Sequence, residues 1–156
     1  LLQKFRKQIP DVALRTTVLT GFPGETGEAF TELLDFIRDF RFERLGVFPY
    51  SHEEDTPAYR NLQDTIPEQV KSDRAGAIME LQQAISLKLN EEKIGKTFKV
   101  LIDRREEGYF VGRTQYDSPE VDNEVLVADN EPLSIGHFYQ IKISSAGEFD
   151  LYGTLE

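Results

Sequence analysis

Hydrophobic and polar positions follow two rhythms along the chain, and the change between them falls near residue 93. The first part is mostly helical in period. Leu1, Leu2, Phe5 and Ile9 recur at helical spacing before Pro10, which predicts the end of a helix over 1–9. Residues 13–20 are apolar and β-branched and predict a strand, whose period of two puts Arg15, Thr17 and Leu19 on one face and Leu14, Thr16 and Val18 on the other. Phe30, Leu33, Leu34, Ile37 and Phe40 make one apolar stripe, predicting a helix over 27–40 that Thr26 can cap. A second strand is predicted over 42–50, broken near its end by Pro49, and a polar loop follows. A long helix then opens at Ile66-Pro67 and runs to about Lys93 on a stripe of Val70, Ile78, Leu81, Ile85 and Leu89, with Gly95 as its stop.

From Lys96 the pattern alternates instead: TFKVLID, GYFVGRTQY, NEVLVA, HFYQIKISS and EFDLYGTL. Five short strands linked by turns rich in Gly, Asn, Asp and Pro predict a small closed or nearly closed barrel of the oligonucleotide-binding style. In the first part, two strands joined by one helix predict a βαβ crossover, the unit of parallel barrels and open sheets. The predicted fold is therefore α/β followed by all-β: a partial parallel (β/α) barrel over 1–92, joined by the long helix to a five-stranded antiparallel barrel over 93–156.

Composition narrows this picture. The 156 residues, 39% hydrophobic and 29% charged, are enough for a core but few for two full domains. No apolar run has membrane-spanning length and no signal pattern opens the chain, so it is read as cytoplasmic and without a membrane partner. It starts mid-fold and is expected to be a piece of something longer. With no cysteine, it offers neither a disulfide framework nor a thiolate ligand for an iron–sulfur cluster or zinc. The net charge of −10 argues against a nucleic-acid partner and suits a basic protein, or serves only solubility.

The most specific string is LRTTVLTGFPGET, a strand entering a glycine-rich turn that opens a helix. Ligands of α/β folds sit at the carboxyl ends of the strands, so this turn and the SHEEDTPA loop after the second strand are expected to face one site. The turn lacks the Gly-Lys-Ser/Thr ending of a phosphate loop. Glu53, Glu54 and Asp55 are consecutive and point in different directions, which reads as a solvated loop rather than a metal cluster. His52 and His137, far apart, read as surface or hydrogen-bonded residues, and no metal ligand is expected.

The strings LRTTVLTGFPGET and RLGVFPYSHEEDTPA, the long helix and the terminal five-stranded barrel together resemble the carboxyl-terminal part of radical S-adenosylmethionine (SAM) methylthiotransferases, whose last barrel is the TRAM domain. RTQYDSPEVDNEVLV resembles the branch that modifies a ribosomal protein rather than the branch that modifies transfer RNA. Asp55 departs from the family, which usually has glycine there. The resemblance implies two 4Fe-4S clusters bound by cysteines elsewhere in the full-length enzyme, one of them cleaving SAM to a radical that attacks the β-carbon of an aspartate. The implied substrate is protein twelve of the small ribosomal subunit. It also implies partners in the missing amino-terminal domains of the same chain.

Carried over by position, the resemblance makes Leu19 the apolar residue packed on the cofactor's adenine. Arg15 and Thr17 share its parity and either face the cofactor or serve barrel packing. Gly21 shapes the pocket, and Phe48 and Tyr50 close over the adenine or belong to the core. No catalytic residue is expected in this fragment, which is expected to be inactive alone. In the barrel region 7 basic residues face 12 acidic ones, and no basic face with exposed aromatics for stacking is apparent. The acidic loop of Asp117, Glu120 and Asp122 is instead suited to docking the basic ribosomal protein, or is a solvated turn. The alternative functions are a transfer-RNA adenosine methylthiotransferase and a non-catalytic acidic protein-binding module.

Overall fold

A computed structural model of the chain describes residues 1–119 and 121–156, which divide into two compact units, Leu1–Ile85 and Ser86–Glu156. In the first unit, helix α1 (Leu2–Gln8) precedes strand β1 (Arg15–Thr20), helix α2 (Gly27–Phe40) and strand β2 (Arg44–Pro49). A short helix α3 (Pro57–Asn61) and the long helix α4 (Glu68–Glu91) follow, and the division between units falls within α4. Strands β1 and β2 pair in parallel with Leu19 opposite Phe48, and among the described residues they form a sheet of two. Ile37, Phe42 and Ile78 are the most deeply buried apolar residues of this unit. Glu43 ties its amino-terminal end together, accepting from Arg6 Nη1 at 2.8 Å and from the Leu14 amide at 2.7 Å.

The ends of α2 follow the predicted chemistry. Thr26 Oγ1 accepts from the Ala29 amide at 3.1 Å, satisfying one of the donors a helix start leaves unpaired. Helix α3 was not expected within the polar loop. Thr56 caps it, accepting from the Tyr59 amide at 3.1 Å, and Pro57 stands at its start, where a missing N–H is harmless.

In the second unit, β3 (Thr97–Glu106), β4 (Tyr109–Arg113), β5 (Glu124–Ala128), β6 (Phe138–Ala146) and β7 (Asp150–Leu155) close into a barrel in the order β3-β4-β5-β7-β6. The antiparallel expectation needs one correction, because β5 and β7 run parallel. A ring with an odd number of strands cannot alternate direction all the way round, so closure with five forces one parallel pair. Val100, Ile102, Val125, Val127, Ile141, Ile143 and Leu151 fill the interior. At Gly112 an added methyl would collide with the Leu101 carbonyl, so the close passage of β4 over β3 requires glycine.

The stripe predicted for α4 is corrected in part. Ile78 and Ile85 are buried, but Val70, Leu81 and Leu89 are only half-buried, while Lys71, Gln82, Ser86 and Asn90 are buried. Each of these polar side chains has partners. Within the first unit Gln82 Nε2 donates to the Phe42 carbonyl at 2.9 Å, and within the second Ser86 Oγ donates to the Glu148 carbonyl at 2.7 Å and Asn90 Nδ2 to the Gly147 carbonyl at 3.0 Å.

Candidate functional site

The carboxyl ends of β1 and β2 lead into the two loops singled out from the sequence. After β1 the chain reverses through Gly21 and Gly24, at φ of 76° and 92°, where side chains are strained and glycine is free. The Glu25 amide donates to the Phe22 carbonyl at 2.9 Å, and Glu25 Oε1 accepts back from the Gly21 amide at 3.0 Å. After β2, Asp55 adopts φ of 65°, a left-handed conformation that Asp tolerates better than most residues. The backbone there has a geometry that glycine also serves, and Asp55 supplies it.

The structure brings four of the six predicted pocket residues onto one face. Arg15, Thr17 and Leu19 project together from β1, and Phe48, opposite Leu19, projects beside it from β2. Leu19 is 45% exposed and Phe48 61%, a flat apolar step at the end of the sheet. The other two turn elsewhere. Gly21 is buried in the turn, and Tyr50 is buried against Phe22 in an edge-on contact of 5.1 Å, its hydroxyl sharing a hydrogen bond of 2.8 Å with His52 Nδ1.

Behind both loops lies a charged group that the sequence reading missed. Lys71 is 0% exposed, and its Nζ donates to Asp64 Oδ2 and to Glu68 Oε1, each at 2.6 Å, while lying 5.3 Å from the Tyr50 ring centre. Burial alone would lower the lysine's pKa, but the hydrogen bonds it donates to the two carboxylates outweigh it and hold the ammonium above its ordinary value. The Asp64 carboxyl is lowered, chiefly by the hydrogen bond from Lys71. One turn later on α4, Arg74 pairs with Glu25 and covers the Phe30 ring. The available signal was positional, since Lys71 precedes Ile78 by seven residues and so shares its helix face.

In the second unit, the acidic loop is internally bonded. Asp117 is 8% exposed and its Oδ2 accepts from Thr114 Oγ1 at 2.6 Å, while Asp122 Oδ2 accepts from the Ser118 amide at 2.6 Å. Glu120 lies outside the described residues. The outer barrel surface also corrects the expectation about aromatics. Tyr109, Phe138 and Phe149 are exposed, and Lys99 Nζ lies 4.5 Å from the centre of the Phe138 ring. The barrel arginines are matched by acids: Arg104 grips Glu124 through two bonds of 2.6 and 2.9 Å, Arg105 meets Asp129 and Arg113 meets Asp103.

Comparison with known proteins decides between family readings. Residues 94–155 match the TRAM domain family, which coincides with the barrel strands. The chain is 53% identical over 98% of its length to the ribosomal protein uS12 methylthiotransferase RimO of Parabacteroides distasonis, covering 35% of that relative. It is 55% identical over 98% of its length to the RimO of Christiangramia forsetii, covering 34% of it, and 52% identical over 99% to that of Cytophaga hutchinsonii, covering 36%. The chain belongs to the RimO-type methylthiotransferase family. It spans about a third of the length of these relatives. The TRAM match lies within the second unit, and the strand-end face and GFPGET turn belong to the first.

Proposed function

We propose that this chain is part of a cytoplasmic radical SAM methylthiotransferase that acts on the β-carbon of an aspartate in ribosomal protein uS12. The observation that carries the reading is the identity above 50% with RimO-type relatives across nearly all of the chain. On this reading residues 1–92 are the end of the radical SAM domain and 93–156 its TRAM domain. Among the described residues β1 and β2 each have one sheet partner, which supports the first part, since a parallel pair of strands is rarely stable alone.

The residues of the β1–β2 face suit an adenosyl group. Leu19 and Phe48 offer adjacent apolar surfaces for a flat ring, with Thr17 and Arg15 next along the strand as a hydroxyl and a cation for the sugar or carboxylate ends. Gly21 and Tyr50 shape this pocket from behind. When bound, SAM supplies the radical and the methyl group. This chain's residues bind and orient it by covering the adenine from one side and excluding water there. A cluster is a different matter, because a chain without cysteine has no thiolate to ligate one, and no step is assigned to these residues through it. The cluster ligands belong to the parts of such an enzyme outside these residues.

For substrate docking, the reading uses the acidic loop of the TRAM barrel: Glu120 and Asp122 toward a lysine- and arginine-rich segment, and Asp117 by fixing the loop through Thr114. Single surface pairs contribute about 0–1 kcal/mol, so docking requires several together. The test is modification of uS12 by the full-length enzyme with SAM and a reductant, followed by peptide mass analysis. A methylthio group on an aspartate is the expected product, and methylthio-adenosine in transfer RNA with unmodified uS12 overturns the substrate assignment. The combined variant Glu120→Gln and Asp122→Asn is expected to weaken uS12 binding most at low salt; unchanged affinity there rejects the docking role.

A further inference from the structure

We infer that Lys71 and Arg74, on the first turns of α4, are positioning residues that clamp both loops of the cofactor face, and that they set the enzyme's affinity for S-adenosyl compounds without touching them. This rests on the proposed reading of the β1–β2 face.

Four contacts carry the inference. The Lys71 stem lies directly under Gly21, so that a methyl group on that glycine would collide with Lys71 Cγ. Its carbonyl accepts from Thr20 Oγ1 at 3.3 Å, at the last position of β1. Its ammonium lies against the Tyr50 ring, just past β2, and is held there by Asp64 and Glu68. Arg74 takes the other end of the same turn, pairing with Glu25, whose Oε1 also accepts from the Gly21 amide. One helix face thus fixes the turn after β1, the residue after β2 and the segment entering α4.

The choice of lysine at this position is informative. Replacing a buried ion pair by apolar residues of similar volume is often neutral or stabilising, so stability alone gives no reason to bury an ammonium. What the pair with the largely buried Asp64 adds is direction: Nζ must meet that carboxylate, which locates the stem, and the stem locates Gly21. Phe22 follows Gly21 and packs on Tyr50, so the same constraint reaches the residues flanking Leu19 and Phe48. A methionine at 71 would fill the space yet leave the turn and Tyr50 free to shift relative to one another.

The test is equilibrium binding of S-adenosylhomocysteine to the full-length holoenzyme, alongside the KM for uS12 and the melting temperature. Lys71→Met is expected to weaken binding at least tenfold while leaving the KM for uS12 unchanged. Should that variant fail to fold, the pair Arg74→Lys and Arg74→Gln gives the same answer: affinity is expected to fall in the order wild type, Lys, Gln, the conservative change retaining part of the clamp. Wild-type affinity in a folded Lys71→Met protein, or in Arg74→Gln, overturns the clamp while the cofactor reading stands. A wild-type holoenzyme that binds no S-adenosylhomocysteine overturns both.

Discussion

Among the described residues, every barrel strand has two hydrogen-bonded neighbours and buried apolar side chains fill the interior, whereas in the first unit β1 and β2 have one neighbour each and leave Leu19 and Phe48 in the open. The two regions use the same backbone chemistry to different ends. Closure removes sheet edges and lets the barrel bury its apolar residues within its own ring. The parallel pair keeps one apolar face unspent, with Leu19 and Phe48 exposed on it. A surface that is costly to expose and still exposed is where a ligand or another part of the protein is best accommodated.

Four substitutions sharpen or break this contrast. The largest effect is expected from Ile141→Ala, which removes a fully buried side chain from a ring with no slack and should cost about 2–5 kcal/mol, read as a fall in the urea midpoint of the chain. A loss below about 1 kcal/mol would mean that the barrel interior is not tightly packed. A smaller effect, of opposite sign, is expected at Asp150. Burial and then the adjacent Glu124 raise its carboxyl above the usual value, so the folded barrel bears a penalty whenever Asp150 is ionised. That penalty is complete above the raised value and vanishes as pH falls below 3.8, where the unfolded chain also takes up the proton. Asp150→Asn should therefore raise the melting temperature at pH 7, with the gain disappearing on acidification; a gain independent of pH would exclude the carboxylate as its cause. The smallest effect on stability is expected at the open face, where Leu19→Ser and Phe48→Ser should each stay within about 0.5 kcal/mol by urea unfolding. A cost comparable to that of Ile141→Ala would show that these residues are core after all.

Much of the barrel was legible because a strand with one face inward alternates with period two, and all five alternating segments became strands. The antiparallel expectation missed the parallel β5–β7 pair: closure with five strands requires a parallel seam, but nothing in the alternation says which strands form it. At the candidate site, parity correctly grouped Arg15, Thr17 and Leu19, because it depends only on local geometry. Lys71 was not legible for the opposite reason. A lysine is classed as a surface residue by its charge, and only the folded positions of Asp64 and Glu68 make its burial tolerable. The burial of Asp117 was hidden in the same way: three acidic residues close in sequence suit a docking loop or a solvated turn, and only the fold places Thr114 to donate to one of them. Helix α3 was signalled by Thr56-Pro57 and hidden by the polar string around it.

The place of β7 in the ring carries a consequence for the order in which the molecule is made. Synthesis delivers β3, β4, β5 and β6 before Asp150–Leu155, the strand that lies between β5 and β6. Until those six residues leave the ribosome, the growing barrel is an open ribbon with two sticky rims, and no hairpin can seal it because one seam must be joined in parallel. The barrel is thus completed only by its last strand, and the interval before that strand arrives is when a nascent chain of this protein is most open to pairing with a neighbour.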